Sequence, residues 1–204
     1  MSETGKLVQK IAALQDFSVY VDLHWEGSFE DYLKIVRENP KVVRTAFQRL
    51  YDMIHSSGRD EYLDTKKKMI SYPFFRDDAH GGRDAIYGLD IPLMKLVNIL
   101  LAAAQGYGPE RRVILLHGPV GSSKSTIARL LKKGLEEYSR TADGALYTFG
   151  WHLTGDAVTD PTKTEEWFPC PINEEPLKVI PTEWRSKALD EISRRSRWPF
   201  AKRT

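Results

Sequence analysis

The chain has 204 residues, 41% of them hydrophobic and 28% charged, with a formal net charge of +2. These values are ordinary for a globular protein with a sizeable core, and the small charge argues against a dedicated nucleic-acid binder. The single cysteine, Cys170, excludes an internal disulfide and a cysteine metal cluster, and no apolar run has the roughly 20 residues that span a bilayer. We therefore expect one domain with an appendage in the cytoplasm, without a secretory leader and without nucleic-acid or membrane partners.

The first part of the chain predicts helices. Residues 5–14 carry a weak helical pattern. A firmer helix begins at Ser28, because Asp31 three residues later completes a capping-box-like start, and it should stop near Asn39. Pro40 suits the first turn of a second helix that runs to Ser57 with Asn39 as its cap.

The segment 59–82 mixes charged with aromatic residues, its end at 79–82 reads as a hinge or loop, and a domain boundary belongs within it. Its compact basic run, 66–68, is interpreted as a solvated face in preference to a binding patch. We therefore predict a helical lead-in over residues 1–80 and a nucleotide-binding domain over residues 81–204.

A further helix is predicted from Asp90, which can cap it, with Pro92 in its first turn and Gly106 closing it. Leu93, Val97, Leu100 and Ala104 recur at helical spacing and form its inward face. This helix leads directly to the most informative stretch of the chain.

Residues 113–126 read as an apolar strand, a glycine-rich turn and the start of an amphipathic helix. The turn meets the phosphate-loop template G-x-x-x-x-G-K-S/T at Gly118, Lys124 and Ser125, but has Ser123 in place of the second glycine. The alternative is an ordinary surface turn, which we disfavour because strand, loop and helix occur in the required order. The candidate nucleotide-contacting residues are Gly118, Pro119, Val120, Gly121, Ser122, Ser123, Lys124, Ser125 and Thr126.

Each residue type suits a phosphate chain for a physical reason. Gly118 and Gly121 permit backbone angles that let successive N–H groups converge on an anion, and the helix N-terminus adds its dipole. Lys124 is the candidate catalytic residue, since it reaches the β- and γ-phosphates, and the Ser125 hydroxyl is the candidate Mg²⁺ ligand.

After the loop helix, residues 145–151 are predicted to form a second buried strand, and residues 183–193 a final helix. A complete nucleoside triphosphatase also needs an apolar strand that ends in an acidic residue, and neither Asp156 nor Asp160 fits that pattern. The basic end, 194–203, is interpreted as a chain terminus in preference to a nucleic-acid platform. The chain therefore carries half of a hydrolytic site.

Four stretches resemble the PrkA-type serine protein kinases, whose N-terminal part is an AAA+ ATPase-like domain. They are residues 116–125, 25–33, 102–106 and 174–181, and the similarity extends from near residue 17 to about residue 190. That family tolerates serine before the lysine. Its members are much longer, so the resemblance implies an N-terminal fragment.

The resemblance implies an α/β fold, namely a P-loop NTPase (AAA+-like) with an incomplete parallel sheet core behind a helical N-terminal segment. It implies binding of ATP and Mg²⁺ by Gly118, Gly121, Lys124 and Ser125, with Tyr87 and Gly88 near the adenine. It also implies serine/threonine kinase activity toward a protein substrate in the longer parent, and AAA+ domains often form homo-oligomeric rings. An AAA+ motor or protease-like ATPase and a non-hydrolysing nucleotide sensor remain alternatives.

Overall fold

The computed structural model describes residues 24–153 and 166–193. The chain divides into two compact units, Met1–Lys34 and Ile35–Thr204. The predicted helix at 5–14, Asp156, Asp160 and the basic end 194–203 lie outside the described residues. Within them, no helix is long and apolar enough to cross a membrane.

Five helices and four short strands make up the regular structure of the described residues. The helices are α1 (Phe29–Glu38), α2 (Ala46–Ser56), α3 (Asp90–Ala104), α4 (Lys124–Tyr138) and α5 (Thr182–Ser193). Strands β1 (Asp60–Asp64) and β2 (Lys67–Ser71) form one antiparallel pair, and β3 (Gly150–Leu153) and β4 (Glu166–Pro169) form another. Single 3-10 turns occupy Pro40–Val43, Pro73–Arg76, Asp78–His80, Pro109–Arg111 and Pro176–Val179.

The start of α1 confirms the capping pattern read from the sequence. The Asp31 N–H donates to Ser28 Oγ at 3.2 Å, and the Ser28 N–H donates to the Asp31 carboxylate at 3.3 Å. The Ser28 hydroxyl, with Lys34 nearby, also lowers the pKa of Asp31 to about 2. The helix ends at Glu38, next to the predicted Asn39.

The second predicted helix begins later than expected. Asn39 does cap the turn that follows it, since its side chain accepts from the Lys41 N–H, but that turn is a 3-10 turn that ends at Val43. Thr45 then caps α2 with a reciprocal bond to Gln48. A second capping box therefore divides what the hydrophobic period alone presents as one helix.

The hairpin of β1 and β2 was missed by the sequence reading. Its two turn residues, Thr65 and Lys66, both have positive φ angles, 44° and 67°. Such a two-residue turn matches the twist of paired strands, but glycine or asparagine usually signals it. Lys67 and Lys68 are exposed on β2, and Lys68 pairs with Glu61 at 2.6 Å, in keeping with a solvated face.

The core of the second unit is formed by α2, α3 and α4 with the turn at Pro73–Arg76. On α3, Leu93, Val97 and Leu100 are buried as the spacing predicts, and each contributes about 1.5–3 kcal/mol by leaving water. Asp90 is the first helical residue and makes no cap, since Leu89 occupies that position. The buried cluster consists of Met53, Ile54, Tyr72, Phe75, Ile86, Leu93, Leu96, Val97, Leu100, Ile127, Leu130 and Tyr138.

The two predicted parallel strands are not formed as expected. Residues 113–119 have no regular secondary structure, and Val113 and Leu115 are 94% and 81% exposed. Of the segment 145–151, only Gly150 and Trp151 lie in a strand, and β3 pairs antiparallel with β4. An apolar segment becomes a buried strand only when neighbouring strands supply hydrogen bonds and cover both faces, and the described residues supply neither here.

Candidate functional site: the phosphate loop and the start of α4

The loop before α4 contains two residues with positive φ angles. Gly121 has φ +83°, and Ser123 adopts the left-handed conformation with φ 55° and ψ 15°. A left-handed residue other than glycine costs about 1–2 kcal/mol, which explains why the template prefers glycine at the position of Ser123. Ser123 therefore holds a backbone conformation that glycine adopts more easily than serine.

Three backbone donors at the start of α4 are unused. The N–H groups of Ser123, Lys124 and Ser125 donate to no other group in the part of the chain that the structure describes. The first regular helical bond runs from the Ile127 N–H to Ser123 O at 2.9 Å. Unsatisfied N–H groups at the positive end of a helix dipole favour an anion, phosphate above all.

The Lys124 side chain folds back onto the loop. Its Nζ donates to Gly118 O at 2.9 Å, to Ser122 Oγ at 2.9 Å and to Pro119 O. All three acceptors are neutral oxygens. No described carboxylate pairs with this lysine, so its positive charge is uncompensated within the loop.

The remaining predicted residues lie around this centre. Ser125 is exposed and Thr126 half-buried in the first turn of α4, and Val120 is fully exposed at the loop tip. Tyr87 and Gly88 belong to the turn before α3, where Ile86 is buried but Tyr87 is 77% exposed. Their place near an adenine ring stays a prediction.

Besides the Ser125 hydroxyl, the described residues offer no cluster of ligands for a divalent cation. No group of three or more histidine, cysteine, aspartate or glutamate side chains in residues 24–153 and 166–193 could hold a metal ion. Asp143, the nearest acidic residue after α4, pairs with Lys41 and accepts from Asn39 Nδ2. The Ser125 hydroxyl fits Mg²⁺ as a single ligand, and the rest of the coordination would come from phosphate oxygens and water.

A separate cluster of charges lies at the other end of α4, which sequence reasoning did not single out. His80 Nδ1 lies 2.8 Å from Asp77 Oδ1, and its Nε2 lies 2.8 Å from Glu137 Oε1, while Lys133 lies 3.7 Å from Asp77. These residues line a cavity of about 390 Å³ together with Met53 and Phe74. The cavity does not include the phosphate loop.

Burial and hydrogen bonding oppose one another at Asp77. Burial alone raises the pKa of this carboxyl, but the Asp84 N–H, His80 and Lys133 together more than offset that effect and hold the pKa below its usual range. The Asp84 N–H donates to Asp77 Oδ2 at 3.1 Å. The charges of this cluster are thus satisfied by one another.

A glycine-rich loop that presents unused N–H groups and a lysine at a helix N-terminus is the arrangement of an anion-binding P-loop. Comparison with known proteins gives the same class. The family described as the PrkA AAA domain matches residues 27–197. The chain belongs to this family, and the family implies a P-loop NTPase fold.

The names of two similar proteins state two different activities. The chain is 38% identical over 164 residues to "ATP-dependent protease PrkA" of Bacillus subtilis, a match that covers 80% of this chain and 21% of the relative. It is 26% identical over 118 residues to "Serine/threonine kinase YeaG" of Escherichia coli K12, covering 52% of this chain and 17% of the relative. The chain thus spans about a fifth of these relatives. No solved structure gives a significant match.

Proposed function

We propose that this chain is a Mg-ATP-binding AAA module, with residues 118–126 around the triphosphate. The observation that carries the proposal is the coincidence of three unused N–H groups, the left-handed Ser123 and an uncompensated Lys124 at one helix N-terminus. Family membership supports it, since an AAA domain implies nucleotide binding.

Each residue has a defined role in this proposal. The N–H groups of Ser123, Lys124 and Ser125 bind phosphate oxygens, and the Lys124 ammonium moves from its neutral loop acceptors to the charged β- and γ-phosphates. Ser125 Oγ is the protein's ligand to Mg²⁺. The turn with Tyr87 and Gly88 contacts the base. Bound Mg²⁺ would neutralise charge that develops on the transferred phosphoryl group, a role in which positioning and electrostatics dominate.

We also propose that residues 113–116 and 145–149 become strands of a parallel sheet in the longer protein. Val113, Leu115 and Leu146 are exposed and apolar, and exposed apolar segments with unpaired backbone groups are completed by further strands. The acidic strand that completes a hydrolytic site would belong to the same added sheet. The division into a helical lead-in at 1–80 and a nucleotide domain at 81–204 stays part of this proposal.

ATP binding to the isolated chain tests the site. Lys124→Ala should weaken ATP binding at least tenfold, because a charge-assisted contact to phosphate is lost. Lys132→Ala is the matched control, since Lys132 is an exposed lysine of the same helix. Equal ATP affinity of wild type and Lys124→Ala, measured by titration calorimetry, would overturn the assignment.

The activity of the longer parent is a separate proposal. The more similar relative is named a protease, which favours ATP-driven proteolysis, whereas the kinase named at 26% identity favours phosphorylation of a protein serine. Incubation of the parent with γ-labelled ATP and casein separates them. Label on serine supports the kinase, while free phosphate with ATP-dependent release of peptides supports the protease. A nucleotide sensor would give neither product, and turnover by the isolated chain would eliminate it.

A further inference from the structure

We infer that Ser122 is a positioning residue that holds the Lys124 side chain against its own loop, so that a ligand must bring β- and γ-phosphates to draw the lysine away. This inference rests on the proposed ATP site. We call the contact the lysine clasp: Lys124 Nζ with Gly118 O, Pro119 O and Ser122 Oγ as its three acceptors.

The lysine clasp uses the whole donor capacity of the ammonium group. A lysine has three N–H donors, and the loop supplies three acceptors. The loop therefore offers the side chain as many hydrogen bonds as a phosphate chain could offer. A ligand must replace those bonds before it gains from Lys124.

Ser122 is the one side chain among the three acceptors, and its hydroxyl is fixed from two sides. It donates to Pro119 O at 2.8 Å while it accepts from Lys124 Nζ at 2.9 Å. The Ser122 N–H also points to Pro119 O, at 3.4 Å. One hydroxyl thus joins the lysine to the first half of the loop in a closed ring of hydrogen bonds.

The Ser122 hydroxyl lies close to Gly118. A Cβ atom added to Gly118 would lie 2.9 Å from Ser122 Oγ, so a side chain at position 118 would displace this hydroxyl from its present position. Glycine at position 118 is therefore compatible with the contact between Ser122 and Lys124.

The loop oxygens that accept from Lys124 are neutral, whereas phosphate oxygens are charged. This difference lets the site discriminate between nucleotides. Hydrogen bonds to ionised oxygens are roughly twice as strong as those to neutral oxygens, so a triphosphate outcompetes the lysine clasp. Adenosine brings no anionic oxygen to Lys124, and AMP lacks the β- and γ-phosphates that the proposed site assigns to this lysine. These ligands leave the lysine clasp closed and gain nothing from the lysine.

Nucleotide titrations of five variants test the inference. Ser122→Ala removes one acceptor of Lys124, and we expect ATP binding to become about two- to tenfold tighter, the worth of one neutral hydrogen bond, with AMP binding unchanged. Ser122→Thr keeps a hydroxyl and should retain wild-type affinity. Ser139→Ala removes a hydroxyl that donates to Glu136 O beyond the end of α4 and serves as the control. In a Lys124→Ala background, Ser122→Ala should have no effect on ATP affinity.

A second measurement needs no nucleotide. Reductive methylation of the nucleotide-free chain, followed by mass spectrometry, should modify Lys124 faster in Ser122→Ala than in wild type, with Lys132 as the internal reference. Unchanged methylation and unchanged or weaker ATP binding in Ser122→Ala, alongside weak binding in Lys124→Ala, would overturn the lysine clasp and leave the ATP site standing. A different result would be that wild type fails to bind ATP while Lys124 is still methylated faster in Ser122→Ala. That result would overturn both the ATP site and the proposed discrimination between ATP and AMP.

Discussion

The two ends of α4 place lysines in opposite electrostatic settings. At the N-terminal end, Lys124 touches only neutral oxygens of its own loop. Toward the C-terminal end, Lys133 lies 3.7 Å from the Asp77 carboxylate, and in the middle of the helix Arg129 pairs with Asp84 at 3.3 Å. Lys124 and Lys133 lie about two and a half turns apart, and only Lys133 has a carboxylate partner among the described residues.

Packing also differs between the two ends of α4, since it is tight near the C-terminal end and open at the loop before the N-terminal end. Gly134 lies so close to the core that a Cβ there would be 2.6 Å from the Phe74 ring and 2.8 Å from the Met53 sulfur, whereas nothing lies within 4 Å of a Cβ on Gly121. Glycine serves close packing in the first case and a positive φ in the second. The C-terminal half of α4 is thus packed against the core, whereas its N-terminal end follows an exposed loop.

Arg49→Met should have the largest effect on the anchored end. This buried guanidinium donates to Gly144 O and Val42 O, both at 2.6 Å, and to Ala145 O at 3.0 Å, so it holds the turn that follows α4. Loss of these bonds leaves several carbonyl groups without their partner, and we expect the free energy of unfolding to fall by about 3 kcal/mol or more in urea denaturation.

Arg111→Met, at a side chain that is 86% exposed, is the control and should change the unfolding free energy by less than about 0.5 kcal/mol. The folded fraction of Arg49→Met should bind ATP with wild-type affinity, because the phosphate loop lies at the other end of the helix. A loss of ATP affinity in that folded fraction would break the distinction between the two ends.

Asp77→Asn should have an intermediate effect that depends on pH. Since the pKa of Asp77 is lowered in the folded chain, its contribution is present above the unfolded value of about 3.9 and is lost as pH falls through the folded value. Wild type should therefore lose stability below about pH 4, and the variant should lack this component of the loss. At pH 7 the variant should be less stable by about 1–3 kcal/mol in urea denaturation.

Asparagine tolerates the left-handed backbone of this position, φ 53°, about as well as aspartate, so the substitution isolates the charge. Asp78→Asn, on the same turn but with a side chain that is 71% exposed, is the matched control. Equal acid sensitivity of wild type and Asp77→Asn would show that the ionic network does not anchor α4.

Ser123→Gly should have the smallest effect and the opposite sign. Glycine removes the strain of the left-handed conformation at this position, which stabilises the fold by about 1–2 kcal/mol. It also gives the unfolded chain more backbone entropy, which destabilises the fold by about 0.5–1 kcal/mol. We expect a net gain of about 0.5–1 kcal/mol in the free energy of unfolding, with ATP affinity retained. Ser139→Gly, where φ is −65°, should lose stability instead. Destabilisation by both changes would contradict the strain at Ser123.

Local sequence patterns predicted several helices of the fold and the position of the candidate site. The capping pair of Ser28 and Asp31, the period of α3 and the start of α4 at Lys124 all follow from interactions within a few residues. The phosphate-loop motif is equally local, because its backbone angles and helix dipole arise in one short stretch. The charged cluster around His80 left no such signal, since Asp77 and Glu137 come from distant parts of the chain.

By itself, the sequence determined where α1, α3 and α4 lie to within a few residues and predicted a phosphate loop before α4, because caps, apolar spacing and glycine act over one or two helical turns. Tertiary structure alone decided the rest. It left the run at 113–116 without a strand partner among the described residues, joined β1 to β2 through Thr65 and Lys66, and paired Lys133 of α4 with Asp77. Strand pairing and ion pairing depend on partners distant in sequence, and a local pattern does not contain them.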